Sequence, residues 1–430
     1  MPTLAPNSVS ATPAGARPHD PIELSSESFW AQTARQRDES FAVLRRERPV
    51  SWQPPAYGSL MPDPDDTGYW AVVAHEDVVA VSKAHDVFSS APENGGVMFE
   101  DVPAPLLEET QSILAMDEPR HGITRKLVHA AFSPRQIRRI EEQIRQQAGA
   151  IVTDFLTEGP RDFVEQVSMR LPLWTISGML GVPDDLRERM VKAVDDMVGH
   201  NDPEYIGESG DPFTCLLGGI AELHDIAQTL IDARRSHPTD DLISDLVAAE
   251  IDGHRLTDDD IRSYFCLLAI AGNDTTRNTT SHGMKALSDH PDQKALLTEN
   301  FDRAIPGAIE EFVRWGSPVM TFRRTATVDA VVGGVDVAAG EKVVLFYSSA
   351  NRDESVFVDP WRFDITRNPN PHVGFGGGGP HYCLGNHVAR LQLRALFREL
   401  LTRVPTLELG EPELVGGHFM HAVKRMPCTF

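Results

Sequence analysis

No stretch of the 430 residues is an apolar run near the roughly 20 residues that a membrane-spanning helix needs. The opening MPTLAPNSVSATPAGARPHD has no apolar core of the signal-peptide kind and is rich in Pro, Ala and Ser. It reads as a disordered tail over residues 1–20, with residues 21–430 as a single domain. Cysteine is scarce: Cys215, Cys266, Cys383 and Cys428, none at CxxC spacing. That excludes a zinc ribbon or a disulfide framework and suits a reducing cytoplasm. Positive charge is in deficit, with 40 Lys and Arg against 63 Asp and Glu and a net charge of −23. Nucleic acid and an anionic membrane surface are poor partners for such a chain. Internal repeats are missing, and strands and helices do not alternate as a doubly wound sheet requires.

What is present is mostly helical pattern. YWAVVAHEDVVAVSKAHDVF reads as strand followed by helix, and helical spacing dominates from about 134 to 300. Short strands are expected over 322–347, in VVGGV and KVVLFYSS, and again in the last 25 residues. The expected fold is mainly α with small β-sheets, an α+β arrangement crossed by one long central helix. That helix lies in LTDDDIRSYFCLLAIAGNDTTRNTTSHGMKALSDHP. Thr257 can cap it, Asp258 to Asp260 suit its positive first turn, and Pro291 ends it, giving about 45 Å. Its middle is apolar all round and should be buried, yet Asn273, Asp274, Thr275 and Thr276 follow, a costly set unless used.

The stretch GFGGGGPHYCLG, residues 374–385, formally contains GxGxxG. It is preceded by NPNPH instead of a strand and interrupted by Pro380, and no Gly-Lys-Ser/Thr follows, so a phosphate loop is excluded. Glycines in such number suit a backbone that approaches something flat and bulky. Leu384, Val388, Leu391, Ala395, Leu396, Leu400 and Leu401 recur at helical spacing, which puts Cys383 at a helix N-terminus where N–H groups favour a thiolate. The loop alone leaves two readings open: an axial thiolate for haem iron, or an inert buried cysteine.

Four segments in order resemble the cytochrome P-450 family of haem-thiolate monooxygenases. Gly379-x-His381-x-Cys383-x-Gly385 after Phe375 resembles its cysteine loop, with one residue more between Phe375 and Cys383 than is usual. Ala271-Gly272-Asn273-Asp274-Thr275-Thr276 resembles its oxygen-activating helix motif, Glu311-Phe312-Val313-Arg314 its ExxR motif, and Asp359-Pro360-Trp361-Arg362-Phe363 the arginine segment between. The longer loop, with AGNDTTRN and FRRTAT, resembles the actinobacterial branch that hydroxylates terminal (omega) methyl groups of sterol side chains and methyl-branched lipids.

The resemblance implies the cytochrome P-450 fold, haem b, and Cys383 as the iron's axial ligand. It implies a proton relay through Asp274 and Thr275, with Gly272 leaving room for a ligand and Phe375 beside the sulfur. His121, Arg125, Arg324 and His381 would hold the haem carboxylates. Glu311, Arg314 and Arg362 would form a buried supporting triad. Substrate contacts fall on Val97 and Phe99 within 94–99, on Leu267, Leu268 and Ala271, on Val319 and Phe322, and on Phe419. Electrons would come from a ferredoxin and an NAD(P)H ferredoxin reductase. Residues 119–140 carry Arg120, Arg125, Lys126, Arg135, Arg138 and Arg139 without one acid, a docking patch for an acidic donor or simply a solvated face. Two rivals stand beside this reading. One is a zinc or non-haem iron enzyme using His372, His381, Cys383 and His387; the other is a haem-binding sensor without oxygenase activity. A relative using peroxide or catalysing an isomerisation is a third, which an intact Asp-Thr pair disfavours.

Overall fold

The computed structural model describes residues 17–59, 62–129, 134–200, 202–206, 211–251 and 253–430. Most of the tail expected over 1–20 lies outside them. Residues 17–20, however, are fastened to the body. Arg17 pairs with Glu341 at 2.7 Å and stacks 4.7 and 4.5 Å from the ring centres of Trp52 and Trp70. Asp20 pairs with Arg48 at 2.6 Å.

Helices carry the mass. The central helix runs unbroken from Asp258 to Asp289, and Thr257 caps it reciprocally with Asp260. Around it pack Arg170–Leu180, Asp184–Val198, Pro212–Ser236 and Phe301–Gly316, with Asn386–Arg403 against Pro134–Glu158. One buried cluster joins these last two helices to Phe312 and Phe363, and another joins Pro212–Ser236 to Tyr264, Phe265 and Ala269 of the central helix. Burial of these apolar faces drives the assembly.

A five-stranded sheet lies to one side, in the order Val50–Gln53, Tyr69–Val72, Lys342–Phe346, Thr321–Ala326, Phe88–Ser89. All neighbours are antiparallel except Tyr69–Val72 with Lys342–Phe346. The VVGGV run forms the hairpin Ala330–Val332 with Val335–Val337, and Gly333 and Gly334 take φ of 54° and 80°, the left-handed turn that matches strand twist. Short strands also fill the C-terminal end, among them Val423–Arg425 and Cys428–Thr429. Among the described residues no helix is long and apolar enough to cross a membrane.

Candidate functional site

Between the central helix and the glycine-rich loop lies a cavity of about 400 Å³. Leu267, Leu268, Ala271, Gly272 and Thr275 line it from the helix; Phe375, His381 and Cys383 line it from the loop. The loop is fixed by Cys383 N–H donating to Phe375 O at 2.9 Å and Gly376 N–H to Val373 O at 2.8 Å. It presses on the helix His75–Lys83 so closely that a Cβ at Gly379 would meet Ser82 O at 2.5 Å. The Asn386–Arg403 helix starts three residues after Cys383. Burial pushes the thiol up, while the N–H groups of Gly385 and Asn386 and the charges of Arg125 and Arg390 pull it down; burial wins. A thiol poised this way loses its proton when it meets a metal ion.

Arg324 and Arg125 beside the cavity lack anions among the described residues, while His121 Nδ1 faces Glu118 Oε1 at 3.2 Å. Arg324 is 4 % exposed, donates to Arg323 O at 2.6 Å, and has no carboxylate in ion-pair range among the described residues. Arg125 donates to Tyr382 O at 2.7 Å. His121 stacks 4.4 Å from His381, and its Nε2 is buried without a partner. Burial, then Arg324, His121 and Arg125, drive His381 down to about 2. A flat group bearing two carboxylates would relieve each of these groups, and a soft cation would take the thiolate, so the residues fit haem.

On the central helix, Thr275 donates its hydroxyl to Ala271 O at 2.8 Å. Asp274 is 3 % exposed. Its Oδ1 accepts from Asn273 at 3.2 Å and lies 3.6 Å from Arg277, while Oδ2 has no hydrogen-bond partner among the described residues. Burial pushes this carboxyl up to about 7 against the pull of Arg277. Arg277 also reaches Asp195 at 3.4 Å, and that carboxylate is 27 % exposed. Arg277 was open to sequence reasoning as the i+3 neighbour of Asp274; nothing local marks Asp195.

Glu311 and Arg314 are wholly buried and joined by two bonds of 2.7 and 2.8 Å. The expected third member is corrected. The Arg362 side chain is 66 % exposed and, among the described residues, pairs only with Asp364, at 3.8 Å. Arg367 takes its place, one-tenth exposed, with Nε 3.4 Å from Glu311. Arg362 contributes its backbone: its carbonyl accepts from Arg367 at 3.0 Å and from Arg314 at 3.5 Å.

Gly272 lines the cavity, and a Cβ there would strike Ile176 at 2.9 Å, so its smallness also serves the approach of Arg170–Leu180. Val97 and Phe99 turn into the core, Phe99 against Trp30, Tyr69 and Phe346; Met98, Glu100 and Val102 face the cavity instead. Val319, Phe322 and Phe419 line it. In the basic window, Arg120 pairs with Asp260 at 3.4 Å and Lys126 is exposed, while the side chains of Arg135, Arg138 and Arg139 lie outside the described residues. The rival metal cluster does not assemble: His372 is turned to Glu310 at 2.9 Å, and no group of three His, Cys, Asp or Glu is placed to hold a metal ion among the described residues.

A cytochrome P-450 family model matches residues 219–406. The methyl-branched lipid omega-hydroxylase of Mycobacterium tuberculosis is 40% identical over 426 residues, 98% of this chain and 97% of its own. The steroid C26-monooxygenase of Mycolicibacterium smegmatis is 39% identical over 91% of this chain and 90% of its own. Among solved structures, a Mycobacterium marinum cytochrome P-450 in complex with pseudoionone superposes with a TM-score of 0.93 at 54% identity, covering 97% of this chain and 100% of that one.

Proposed function

The chain belongs to the cytochrome P-450 family and is a haem-thiolate monooxygenase, and from that premise we propose that it hydroxylates the terminal methyl group of methyl-branched lipids or sterol side chains. The observation that carries this is the cavity: largely apolar side chains along the central helix, a cysteine thiol at one wall, and the buried cation Arg324 beside it. Haem b is the cofactor, and when bound it supplies O2 binding and the oxidation of an unactivated C–H bond.

The chain's own residues have the following roles in this reading. Cys383 ligates the iron. Arg125, Arg324, His121 and His381 take the haem carboxylates. Phe375 packs beside the loop under the guanidinium of Arg390, 4.4 Å from its ring centre. Asp274 holds a proton near neutral pH on a carboxyl closed off from water, and Arg277 with Asp195 links it towards solvent. Thr275 Oγ1 donates to Ala271 O and keeps lone pairs free to accept a proton on the cavity wall. Leu267, Leu268, Val319, Phe322 and Phe419 exclude water and hold an apolar chain. Glu311, Arg314 and Arg367 support the loop and do no chemistry.

Redox partners supply the electrons. We assign that task to a ferredoxin and its NAD(P)H reductase, with exposed Lys126 available to an acidic donor. Residues 21–430 act as one domain, and four unpaired cysteines suit the cytoplasm.

The test is to load the purified chain with haem, record the reduced carbonyl spectrum, and titrate it with sterols and methyl-branched fatty acids and alcohols. Mass spectrometry of turnover products then locates the oxygen. Terminal hydroxylation supports the reading; oxidation confined to mid-chain carbons, or no spectral response to either class, overturns it.

A further inference from the structure

The strand Thr321–Ala326 divides its side chains between two duties. Phe322 and Arg324 line the cavity, as alternate residues of a strand share one face. Arg323 and Thr325 engage residues 94–101 instead. Arg323 N–H donates to Val97 O at 2.7 Å, and Thr325 Oγ1 donates to Asn94 O at 2.6 Å. A Cβ at Gly95, where φ is 91°, would collide with the Arg323 guanidinium, so the chain wraps closely round that group.

The wrap closes on Asp101. Its Oδ1 accepts from Arg323 Nη1 and its Oδ2 from Lys342 Nζ, each at 2.7 Å, and Lys342 reaches on to Asp66 at 2.7 Å. The Arg323 side chain is 5 % exposed, a buried cation whose charge Asp101 meets. Burial works against a charge on Asp101, but Lys342 and then Arg323 outweigh it and hold the carboxyl below its usual range. Desolvating such a group of charges offsets most of their mutual attraction, so stability alone is a weak reason for building it. Its effect is to fix position.

What it positions is a wall of the cavity. Between the bond of Arg323 to Val97 and its pair with Asp101 the side chains alternate. Val97 and Phe99 are buried in the core, while Met98, Glu100 and Val102 line the cavity. Glu100 in turn reaches His418 of the C-terminal turn at 2.8 Å. Because neighbours point to opposite sides, a shift of one residue would exchange the lining of the cavity for that of the core. We propose that Asp101 is a positioning residue for the substrate. By bridging Arg323 and Lys342 it holds residues 97–102 in the register that turns Met98 and Val102 into the cavity, and so sets where an apolar chain lies relative to Cys383. The same strand offers Arg324 to the haem carboxylates, so cofactor and substrate wall are referenced to one rigid element. The proposal rests on the haem and lipid readings above and names what shapes the pocket.

The test uses haem-loaded protein and two probes that differ by a chain, imidazole and 1-dodecylimidazole, titrated by difference spectra. Both seat a ring nitrogen at the iron; only the second lays an apolar chain against the cavity wall. Asp101→Asn should bind 1-dodecylimidazole on the order of tenfold more weakly, equivalent to a methylene or two of apolar contact, and imidazole within about twofold of the parent. The reduced carbonyl spectrum should not move. With phytanic acid as substrate, the ratio of terminal to internal hydroxylation should drop on the order of fivefold. Arg323→Lys, which keeps the charge but not the planar guanidinium, should fall between the parent and Asp101→Asn. A residue that served stability alone would change neither the ratio of the two affinities nor the product ratio. Should Asp101→Asn fail to retain haem, Lys342→Met, which spares the Arg323 pair, carries the test with the same signs. If the two affinities keep the parent's ratio, the proposal is overturned and the lipid reading stands. A parent that oxidises neither phytanic acid nor cholesterol overturns the lipid reading alone, because the imidazole pair needs no substrate. A parent that binds 1-dodecylimidazole no more tightly than imidazole overturns both.

Discussion

Arg367 brings its Nε to 3.4 Å from Glu311, while Arg362, five residues earlier, sends its side chain to solvent. Glu311 also accepts from Asp364 N at 3.0 Å and Asn370 at 3.1 Å, which ties the segment before the cysteine loop to the helix Phe301–Gly316. Arg367→Leu should therefore cost on the order of 3 kcal/mol and lower haem retention, because it leaves a buried carboxylate short of a partner. Arg362→Ala should stay within about 0.5 kcal/mol. Denaturant unfolding of the haem-loaded variants decides; the opposite ranking would return Arg362 to the triad.

Asp274 carries a proton below about pH 7 and loses it above, because burial raises its carboxyl there. Product formed per electron consumed should then fall as pH rises through neutrality. Asp274→Asn should turn over on the order of a hundredfold more slowly and flatten that profile. A variant that keeps the parent's pH dependence would move the titrating group elsewhere.

Thr275→Ala should retain haem and an unchanged reduced carbonyl spectrum yet divert oxygen to released hydrogen peroxide. Coupling as efficient as the parent's would remove Thr275 from the relay. Cys383→His should abolish the red-shifted carbonyl band while the helices, read by circular dichroism, persist.

His282 and His421 stack with ring centres 4.0 Å apart, His282 facing His421 O at 2.9 Å and His421 facing Gly316 O at 2.7 Å. Burial lowers His282 to about 4 and takes His421 well below its ordinary value. The folded pKa lies below the unfolded one, so the unfolded chain binds more protons and stability drops as pH falls from about 6.5 towards 4. Both rings keep some exposure, which tempers the loss to about 2 kcal/mol. Urea unfolding at pH 7 and pH 4.5 should show it, and His282→Gln should shrink the difference.

Helix-borne features were legible from the chain alone. The central helix was marked by its cap, its acidic first turn and Pro291, and its unbroken run through Asn273–Thr276 agrees with that pattern. Glu311 and Arg314 meet because three residues on a helix share a face. Extended segments were harder. In 97–102 the cavity takes Met98, Glu100 and Val102, and a choice between Met98 and Val97 depends on which side of the chain the neighbours occupy.

The sequence by itself determined the helical frame, the cysteine at the start of its helix and the order of the motifs, since periodicity, capping and turn chemistry act within a few residues. Only the tertiary structure decided that Arg367 displaces Arg362, that Asp195 extends Asp274 through Arg277, and that Glu100 meets His418. Those partners come from remote segments, and nothing short of the packing of whole elements determines which side chains share a buried space.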